Sequence, residues 1–242
     1  MANPNAAMLV IGDEILSGRT RDANMHHLAG ALNAHGIDLL EVRVVADDPG
    51  AIIGAVRALS DGFDHVFTSG GIGPTHDDIT ADCMAQAFGV EIDVREDARA
   101  LLAAFYEARG IEFNAARKRM ARIPDGAVLI DNPVSTAPGF TLGNVHVMAG
   151  VPEIFAAMLA GLLPGLTGGA PLLSQSVKLN LPEGEIAGPL ADLAQDFPAL
   201  SIGSYPFWQN GEYGANIVLR GESGDQLNAA MARLSLLFGD TT

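Results

Sequence analysis

The residues best suited to chemistry lie in one glycine-rich stretch, residues 68–82, with the sequence TSGGIGPTHDDITAD. Three glycines, Gly70, Gly71 and Gly73, leave the backbone uncovered where a ligand would approach it. A hydrophobic run precedes the glycines and an apolar-patterned run follows them, which predicts a strand, a turn and a helix. The start of such a helix presents unpaired N–H groups and a positive dipole end, which suit a phosphate.

Two adjacent carboxylates, Asp77 and Asp78, follow these glycines. Such a pair suits a divalent metal that bridges to phosphate oxygens, and either residue can cap the helix. The alternative is a tight turn with an Asp cap and no ligand, in which Thr75 serves only local backbone groups. Because Pro74, Thr75 and both carboxylates follow the glycines in order, we favour a ligand site. Ser69, directly before the glycines, is included in it.

The flanking runs predict the elements that must hold this turn in place. Apolar, β-branched runs indicate strands, and capped runs with helical spacing indicate helices. Strands are expected at residues 6–11, 39–45 and 63–69, with helices after Asp22 and Asp48. This alternating order predicts an α/β fold, a three-layer α/β/α arrangement around a mostly parallel sheet.

Beyond the turn, residues 91–122 predict an inserted helical segment. Further strands are expected at 128–130 and 145–148, joined by a turn-rich loop at 132–140. The densest basic run of the chain, residues 117–122, could contact an anionic ligand or a neighbouring subunit. For the other basic residues of the insertion we favour a solvated helix face.

In parallel sheets, ligands bind at the carboxyl ends of the strands. This rule places three distant segments on one rim: Gly12–Gly18, predicted as a loop, Asp47–Asp48 and Gly70–Asp78. A second glycine turn, Ala149–Glu153, follows the strand at 145–148 and is expected on the same rim. The further candidate ligand contacts are Gly12, Asp13, Glu14, Gly150, Pro152 and Glu153.

Each carboxylate on this rim could have a purely structural role instead of binding a ligand or metal. Asp13 and Glu14 could be solvated loop charges, but two carboxylates that face the expected ligand favour a functional interpretation. Asp48 precedes a proline and is interpreted as a helix cap, which leaves Asp47 as the candidate metal ligand. Glu153 suits ligand contact and the first turn of a helix equally well.

The composition limits the classes of protein and partner. The chain has 242 residues, 48% of them hydrophobic, and a net charge of −15. It can therefore build a large core, whereas binding to nucleic acid or to an anionic membrane surface is disfavoured. A single cysteine, Cys83, excludes an internal disulfide framework. The longest apolar run, Ile154–Leu166, is too short to span a bilayer, and we expect a soluble cytoplasmic protein without a signal peptide.

A change in composition divides the chain. Residues 165–171 are rich in glycine and end in a proline, which is typical of a linker. The residues beyond it show alternating strand and helix patterns, which predict a small α+β domain. We therefore predict two domains, residues 1–167 and residues 172–242.

Together the motifs resemble the molybdopterin-binding domain of the CinA family (competence/damage-inducible protein A), which is similar in fold to MoaB and MogA. They fall in the family's order over residues 6–165, and the run Ile202–Pro206 resembles the small domain that follows in CinA. The motifs are Gly12–Gly18, Asp22 with Asn24, Thr68–Thr80, Ala137–Phe140 and Ala149–Glu153.

The resemblance implies roles for individual residues. In MoaB- and MogA-like proteins the glycine turn holds the phosphate end of molybdopterin or its adenylate, which here falls on Gly70, Gly71 and Gly73. The acidic residue that serves adenylyl transfer or its metal matches Asp78, and a second acidic position matches Asp47. Asp78 and Asp47 are therefore the implied catalytic residues.

The resemblance further implies a divalent metal, Mg²⁺, Mn²⁺ or Co²⁺, held by Asp78, Asp47 and Asp13, and ligand contact at Gly139. Some CinA-type domains are metal-dependent pyrophosphatases that act on ADP-ribose, so hydrolysis of a nucleoside diphosphate linkage is expected. The rival is a non-catalytic carrier of molybdopterin or a nucleotide. The expected partners are a small nucleotide or pterin phosphate and further copies of the chain, because proteins of this fold often self-associate.

The chain departs from the family pattern at Asp82, where glutamate is frequent, and at Ser135, where glycine is usual; His76 occupies a variable position. These changes leave the glycine turn intact but weaken the transfer of substrate identity, and the shorter Asp82 favours the carrier. No room is expected after residue 242 for the amidohydrolase domain of full-length CinA, so nicotinamide-nucleotide deamidation is not predicted.

Overall fold

The structure is a computed structural model that describes residues 3–209 and 211–239. The chain divides into two compact units, Met1–Gly169 and Ala170–Thr242. The strands of the first unit are β1 (Asn5–Ile11), β2 (Asp38–Val45), β3 (His65–Ser69), β4 (Ile92–Val94), β5 (Arg122–Pro124), β6 (Val128–Ile130), β7 (Gly139–Leu142) and β8 (Val145–Met148). Its helices are α1 (Asp13–Leu16), α2 (Asn24–His35), α3 (Pro49–Gly62), α4 (Thr80–Phe88), α5 (Glu96–Glu107), α6 (Ala115–Lys118) and α7 (Pro152–Leu162).

The large sheet of the first unit confirms the predicted, mostly parallel architecture. Its strand order is β2-β1-β3-β8-β7-β6. The first four of these strands are parallel to one another, whereas β7 runs antiparallel to both β8 and β6. Strand β6 therefore points the same way as β8, and the loop after β6 lies on the same edge as the loops after β1, β2, β3 and β8.

Two hydrophobic cores on opposite faces of this sheet confirm the three-layer arrangement. Strand β1 shows why both faces are covered, because all of its residues except the first are buried. Ala7, Leu9 and Ile11 pack with α3 and α4, while the alternate residues Met8 and Val10 pack with α2 and α7. A central strand buried on both sides carries a continuous apolar run rather than an alternating one.

Strand β7 corrects the loop predicted at residues 132–140. Gly139 and Phe140 belong to this strand, and Phe140 is fully enclosed and pairs with Val147 of β8. The prediction was wrong at this end because β7 has only four residues. So short a strand, starting next to a proline and a glycine, shows no period that distinguishes it from a loop.

Two other segments contain short elements that their patterns do not reveal. The insertion at residues 91–122 forms α5 and α6 as predicted, but β4 and β5 also pair antiparallel across it. The segment Gly12–Gly18, predicted as a loop, contains the one-turn helix α1. Elements of three or four residues gain their stability from tertiary contacts rather than from local propensity.

The second unit is an α+β structure, as predicted. Its antiparallel sheet has the strand order β10-β11-β9, and α8 and α9 contribute to its hydrophobic core. Its elements are β9 (Leu173–Leu179), α8 (Glu183–Asp196), β10 (Ser201–Gln209), β11 (Glu212–Gly221) and α9 (Gly224–Phe238). In the described parts of both units, no helix combines the length and the apolar character needed to cross a membrane.

Candidate functional site

A cavity of about 510 Å³ lies at the carboxyl edge of the large sheet. It brings together the loops after β1, β2, β3, β6 and β8, so segments that are far apart in sequence meet there. The residues that line it are Ile11, Gly12, Glu14, Asp47, Gly70, Gly71, Ile72, Gly73, Pro74, Asp77, Asp78, Met120, Asn132, Ser135, Ala137, Ala149, Gly150, Val151 and Ile154.

The glycine turn after β3 is packed so tightly that it has no space for side chains. Gly70 has φ 109°, and a Cβ on it would lie 2.2 Å from the carbonyl oxygen of Ile11. Gly71 has φ 69°, and a Cβ there would lie 2.1 Å from Thr80 Oγ1. The Thr80 hydroxyl donates to the Gly70 carbonyl at 3.0 Å, and the Thr80 N–H donates to the Gly71 carbonyl at 3.0 Å. The turn is therefore fixed to the start of α4 while its outer side borders the cavity.

Asp78 does not cap α4, and neither does Asp77, so that prediction was wrong. Helix α4 begins at Thr80, and the residue before it, Ile79, makes no side-chain cap bond. Asp78 Oδ2 instead accepts hydrogen bonds from the N–H and the hydroxyl of Thr75, at 2.8 Å and 2.6 Å. Thr75 therefore closes the turn and does not itself line the cavity.

The charged side chains on the cavity wall are all acidic, and several of them surround Asp47. Asp47 Oδ2 accepts a hydrogen bond from the Asp13 N–H at 2.9 Å. Burial raises the pKa of Asp47, the Asp13 N–H opposes this rise, and the nearby carboxylates of Asp13, Glu14 and Asp77 add to it. Negative charge thus concentrates where the ends of β1 and β2 meet, and a bound cation would relieve it.

The carboxylates fit a hard cation that takes part of its coordination from a ligand. Within residues 3–209 and 211–239, no group of three or more His, Cys, Asp or Glu side chains is assembled to hold a metal ion. Of the predicted trio, Asp47 and Asp78 line the cavity, whereas Asp13 contacts Asp47 through its backbone N–H. Mg²⁺ is often held by one or two carboxylates, with waters and substrate phosphates completing the shell. Asp47 and Asp78 supply oxygen donors of that kind.

Ser69, also predicted to contact ligand, does not line this cavity. Its hydroxyl is buried and accepts a hydrogen bond from Asn24 Nδ2 at 2.7 Å. The same amide nitrogen donates to the Gly150 carbonyl at 2.8 Å. Asn24 therefore joins the start of α2, the end of β3 and the second glycine turn.

Three other predicted ligand contacts also lie off the cavity wall. Gly139 is enclosed in β7, where a Cβ would lie 2.2 Å from the Val147 carbonyl oxygen and 2.5 Å from Met158 Cε. A glycine is therefore needed at this position for close packing against β8 and Met158, not for ligand contact. Pro152 and Glu153 begin α7, where Glu153 stands in the first turn and its charge suits the helix dipole.

The basic run at residues 117–122 contacts its own chain. Arg119 Nη2 donates to the carbonyl oxygen of Asp78 at 3.2 Å. Arg122 pairs with the carboxylate of Asp82, and the Arg117 guanidinium lies 4.8 Å from the ring centroid of Tyr106. Two arginines of the insertion therefore hold the segment that carries the acidic residues.

Comparison with known proteins identifies the first unit. Residues 7–168 match the family described as "Probable molybdopterin binding domain". The chain belongs to this family. Residues 171–241, beyond the molybdopterin-binding domain, match the "FAD synthase, middle domain".

Relatives that match most of the chain confirm the resemblance to CinA. The "Probable FAD synthase" of Caenorhabditis elegans is 32% identical over 95% of this chain and 49% of that protein. The "CinA-like protein" of Geobacter metallireducens is 36% identical over 81% of this chain and 50% of that protein. The chain spans about half the length of these two relatives. The crystal structure of the protein CinA from Thermoplasma acidophilum is 34% identical with a TM-score of 0.62, and the match covers 68% of this chain and 99% of that chain.

Sequence reasoning missed several residues that line the cavity of the molybdopterin-binding domain. Asn132, Ser135 and Ala137 lie in the loop after β6, and Met120 comes from the insertion. Recognition that β6 runs in the same direction as β8, with β7 between them, would have placed the loop on the rim. Met120 gave no such signal, because the packing of the insertion alone brings it there.

Proposed function

We propose that the molybdopterin-binding domain holds a phosphorylated nucleotide or pterin in the rim cavity and, with a divalent ion, hydrolyses an ADP-ribose-type diphosphate linkage. The observation that carries this proposal is one cavity that joins the Gly70–Gly73 turn to four carboxylates. Its volume of about 510 Å³ falls in the range of small-molecule sites, roughly 300–1,000 Å³.

The charge of the wall supports a metal-bound phosphate rather than a bare one. Glu14, Asp47, Asp77 and Asp78 line the cavity together with backbone of the glycine turn. Carboxylates repel a phosphate unless a cation lies between them, and a divalent ion bridges both kinds of oxygen. The names of the relatives point to nucleotide chemistry as well, since one is a probable FAD synthase.

In this mechanism the glycine turn binds and orients the diphosphate, and Asp47 and Asp78 would hold the ion. When bound, the ion would polarise a phosphorus–oxygen bond and lower the pKa of an attacking water. Water oxygen bonds to one phosphorus while the bond from that phosphorus to the bridging oxygen breaks, which leaves AMP and ribose 5-phosphate. The proton that the attacking water loses passes to solvent, because an ion held by Asp47 would lower the proton affinity of that carboxylate.

One observation favours a second candidate, a carrier that binds its ligand without turnover. Along residues 3–209 and 211–239, no three metal-ligating side chains form a preassembled ion site. A carrier needs only the glycine turn and the cavity, whereas hydrolysis needs the ion as well. Dependence of turnover on metal separates the two candidates.

The test is phosphorus NMR of the purified protein with ADP-ribose, FAD or NADH, each with Mg²⁺, Mn²⁺, Co²⁺ or excess EDTA. We expect AMP to appear only when metal is present, and the substrate that yields it names the ligand class. Absence of turnover in every mixture, with binding detected by calorimetry, would reject hydrolysis and support the carrier. Absence of both turnover and binding would reject the cavity as a nucleotide site.

A further inference from the structure

We propose that Arg119 is a positioning residue for the divalent ion, because it anchors the backbone of Asp78 and so sets the affinity of the site for the ion. Arg119 does not line the cavity, so it acts through Asp78 and not on the ligand. The inference rests on the proposed function, because it concerns the support of a carboxylate that would hold the ion. It also gives the inserted segment, residues 91–122, a part in that site.

Asp78 stands at the end of an exposed turn, residues 74–78. The four residues before it are all exposed. Within the turn, Asp78 accepts two hydrogen bonds from Thr75, and its own N–H donates to the Thr75 carbonyl at 3.3 Å. These bonds fix the shape of the turn, but they do not fix where the turn stands relative to Asp47.

Arg119 joins this turn to the rest of the domain. Its Nη2 donates to the carbonyl oxygen of Asp78 at 3.2 Å. Along residues 3–209 and 211–239, no other hydrogen bond links the turn to a segment elsewhere in the chain. Exposed segments with few contacts open more readily than the strands of a core. Loss of the Arg119 bond would therefore free Asp78 to move relative to Asp47.

Arg119 can act as an anchor because the chain that follows it is fixed. It begins the 3₁₀ turn Arg119–Ala121. Ala121 is fully buried, and its carbonyl accepts a hydrogen bond from the Arg95 N–H at 2.9 Å. Arg122, directly after this turn, pairs with the carboxylate of Asp82 in α4. The anchor thus belongs to a packed part of the insertion, and the position of Asp78 depends on it.

The charge of Arg119 and its hydrogen bond have opposite effects on a bound cation. A positive charge near the site repels the ion, whereas a fixed Asp78 binds the ion more tightly. Arg119 is partly exposed, so solvent screens its charge. Loss of a bond that orients a metal ligand typically lowers metal affinity by about 10–100-fold. We therefore expect the bond to outweigh the charge, so that replacing Arg119 weakens ion binding.

The test measures the affinity for Mn²⁺ and does not depend on turnover. Electron paramagnetic resonance of Mn²⁺ titrated into the full chain reports the free ion and hence the dissociation constant. We expect Arg119→Met, and Arg119→Ala as a second variant, to weaken Mn²⁺ binding by about tenfold or more. Arg119→Lys keeps a charge and a donor and should restore part of the affinity.

The matched control is Arg109→Met. Arg109 is an exposed arginine of the same insertion, and its Cζ lies 3.6 Å from the ring centroid of Phe105. Its replacement changes the net charge by the same amount as Arg119→Met but leaves the Asp78 carbonyl bonded. This variant should bind Mn²⁺ as the wild type does.

A double-variant cycle shows whether Arg119 acts through Asp78. Asp78→Asn removes a carboxylate proposed to hold the ion and should itself weaken Mn²⁺ binding. Adding Arg119→Met to Asp78→Asn should weaken binding little further, because both changes act on the same ligand. Losses that multiply in the double variant would show that Arg119 acts elsewhere and would overturn the inference.

Different outcomes separate this inference from the proposed function. Unchanged or tighter Mn²⁺ binding in Arg119→Met, or an equal loss in Arg109→Met, would overturn the positioning role and leave the ion site standing. A wild-type protein that binds no Mn²⁺, or an Asp78→Asn protein that binds it as the wild type does, would refute both. A wild-type protein that binds Mn²⁺ through Asp78 and Arg119 but hydrolyses nothing would support the inference and refute the proposed hydrolysis.

Discussion

Thr75 donates two hydrogen bonds to one oxygen of Asp78, from its N–H at 2.8 Å and from its hydroxyl at 2.6 Å. The carboxylate proposed to hold the ion is therefore also the acceptor that closes the turn around it. A test of its chemistry must remove the charge without opening the turn.

Asp78→Asn meets this requirement. The amide oxygen can still accept both Thr75 bonds, so the turn should keep its shape while the site loses a negative charge. We expect release of AMP from ADP-ribose to be abolished, with binding retained, as measured by phosphorus NMR and calorimetry. Asp61→Asn, on the exposed end of α3, should behave as wild type. Unchanged turnover in Asp78→Asn would show that the metal site is assigned wrongly.

Gly71→Ala should destabilise the fold. The left-handed backbone at φ 69° costs an alanine about 1–2 kcal/mol, and its Cβ would meet Thr80 Oγ1 at 2.1 Å. We expect the free energy of unfolding to fall by at least about 2 kcal/mol in urea titrations. Gly54→Ala is the matched control, because a Cβ at this helical position meets nothing within 4 Å. That control should gain about 1 kcal/mol, and equal losses in both variants would contradict this account of the turn.

His146 should make the stability depend on pH. Burial lowers its pKa to about 4, and the nearby His65 contributes; His65 Nδ1 lies 3.2 Å from His146 Nε2. The unfolded chain takes up this proton near pH 6.5, but the folded chain does so only near pH 4. Stability is therefore complete above pH 6.5 and falls as the pH drops towards 4, by about 2 kcal/mol between pH 7 and pH 5.

Urea titrations at pH 7 and pH 5 check this dependence. His146→Gln has no proton to gain and should lose most of the difference between the two pH values. His27→Gln, at an exposed position of α2, should keep the wild-type difference. The same pH dependence in His146→Gln as in wild type would assign it to other groups.

Asn24→Ala should weaken both the fold and the site. It leaves the buried Ser69 hydroxyl and the Gly150 carbonyl without their donor, which costs about 1–3 kcal/mol. Thermal unfolding should show the loss, and ADP binding should weaken because the two glycine turns are no longer joined. Asn228→Ala removes a surface bond to Gln175 and should change stability by no more than about 0.5 kcal/mol. An Asn24→Ala protein as stable as wild type would contradict the role of this amide.

Local sequence was sufficient for elements with a long pattern and a clear boundary. The buried run of β1, the cap at Asp48, which accepts from the Ala51 N–H at 2.8 Å, and the left-handed Gly36 after α2 all follow from it. The order of these elements also predicted a parallel sheet and hence a ligand rim. Sequence was insufficient for β7, because its four residues carry no period.

What the sequence alone determined is the α/β fold, the rim and the glycine turn, because hydrophobic period, caps and glycine are local properties. Tertiary structure decided which side chains reach the cavity. It turned Asp78 towards Thr75, buried Ser69 beneath Asn24 and enclosed Gly139 in β7. It also brought Met120 to the wall from a distant insertion. These placements depend on contacts between residues that are far apart in the chain or compete for one partner, and no local pattern encodes that choice.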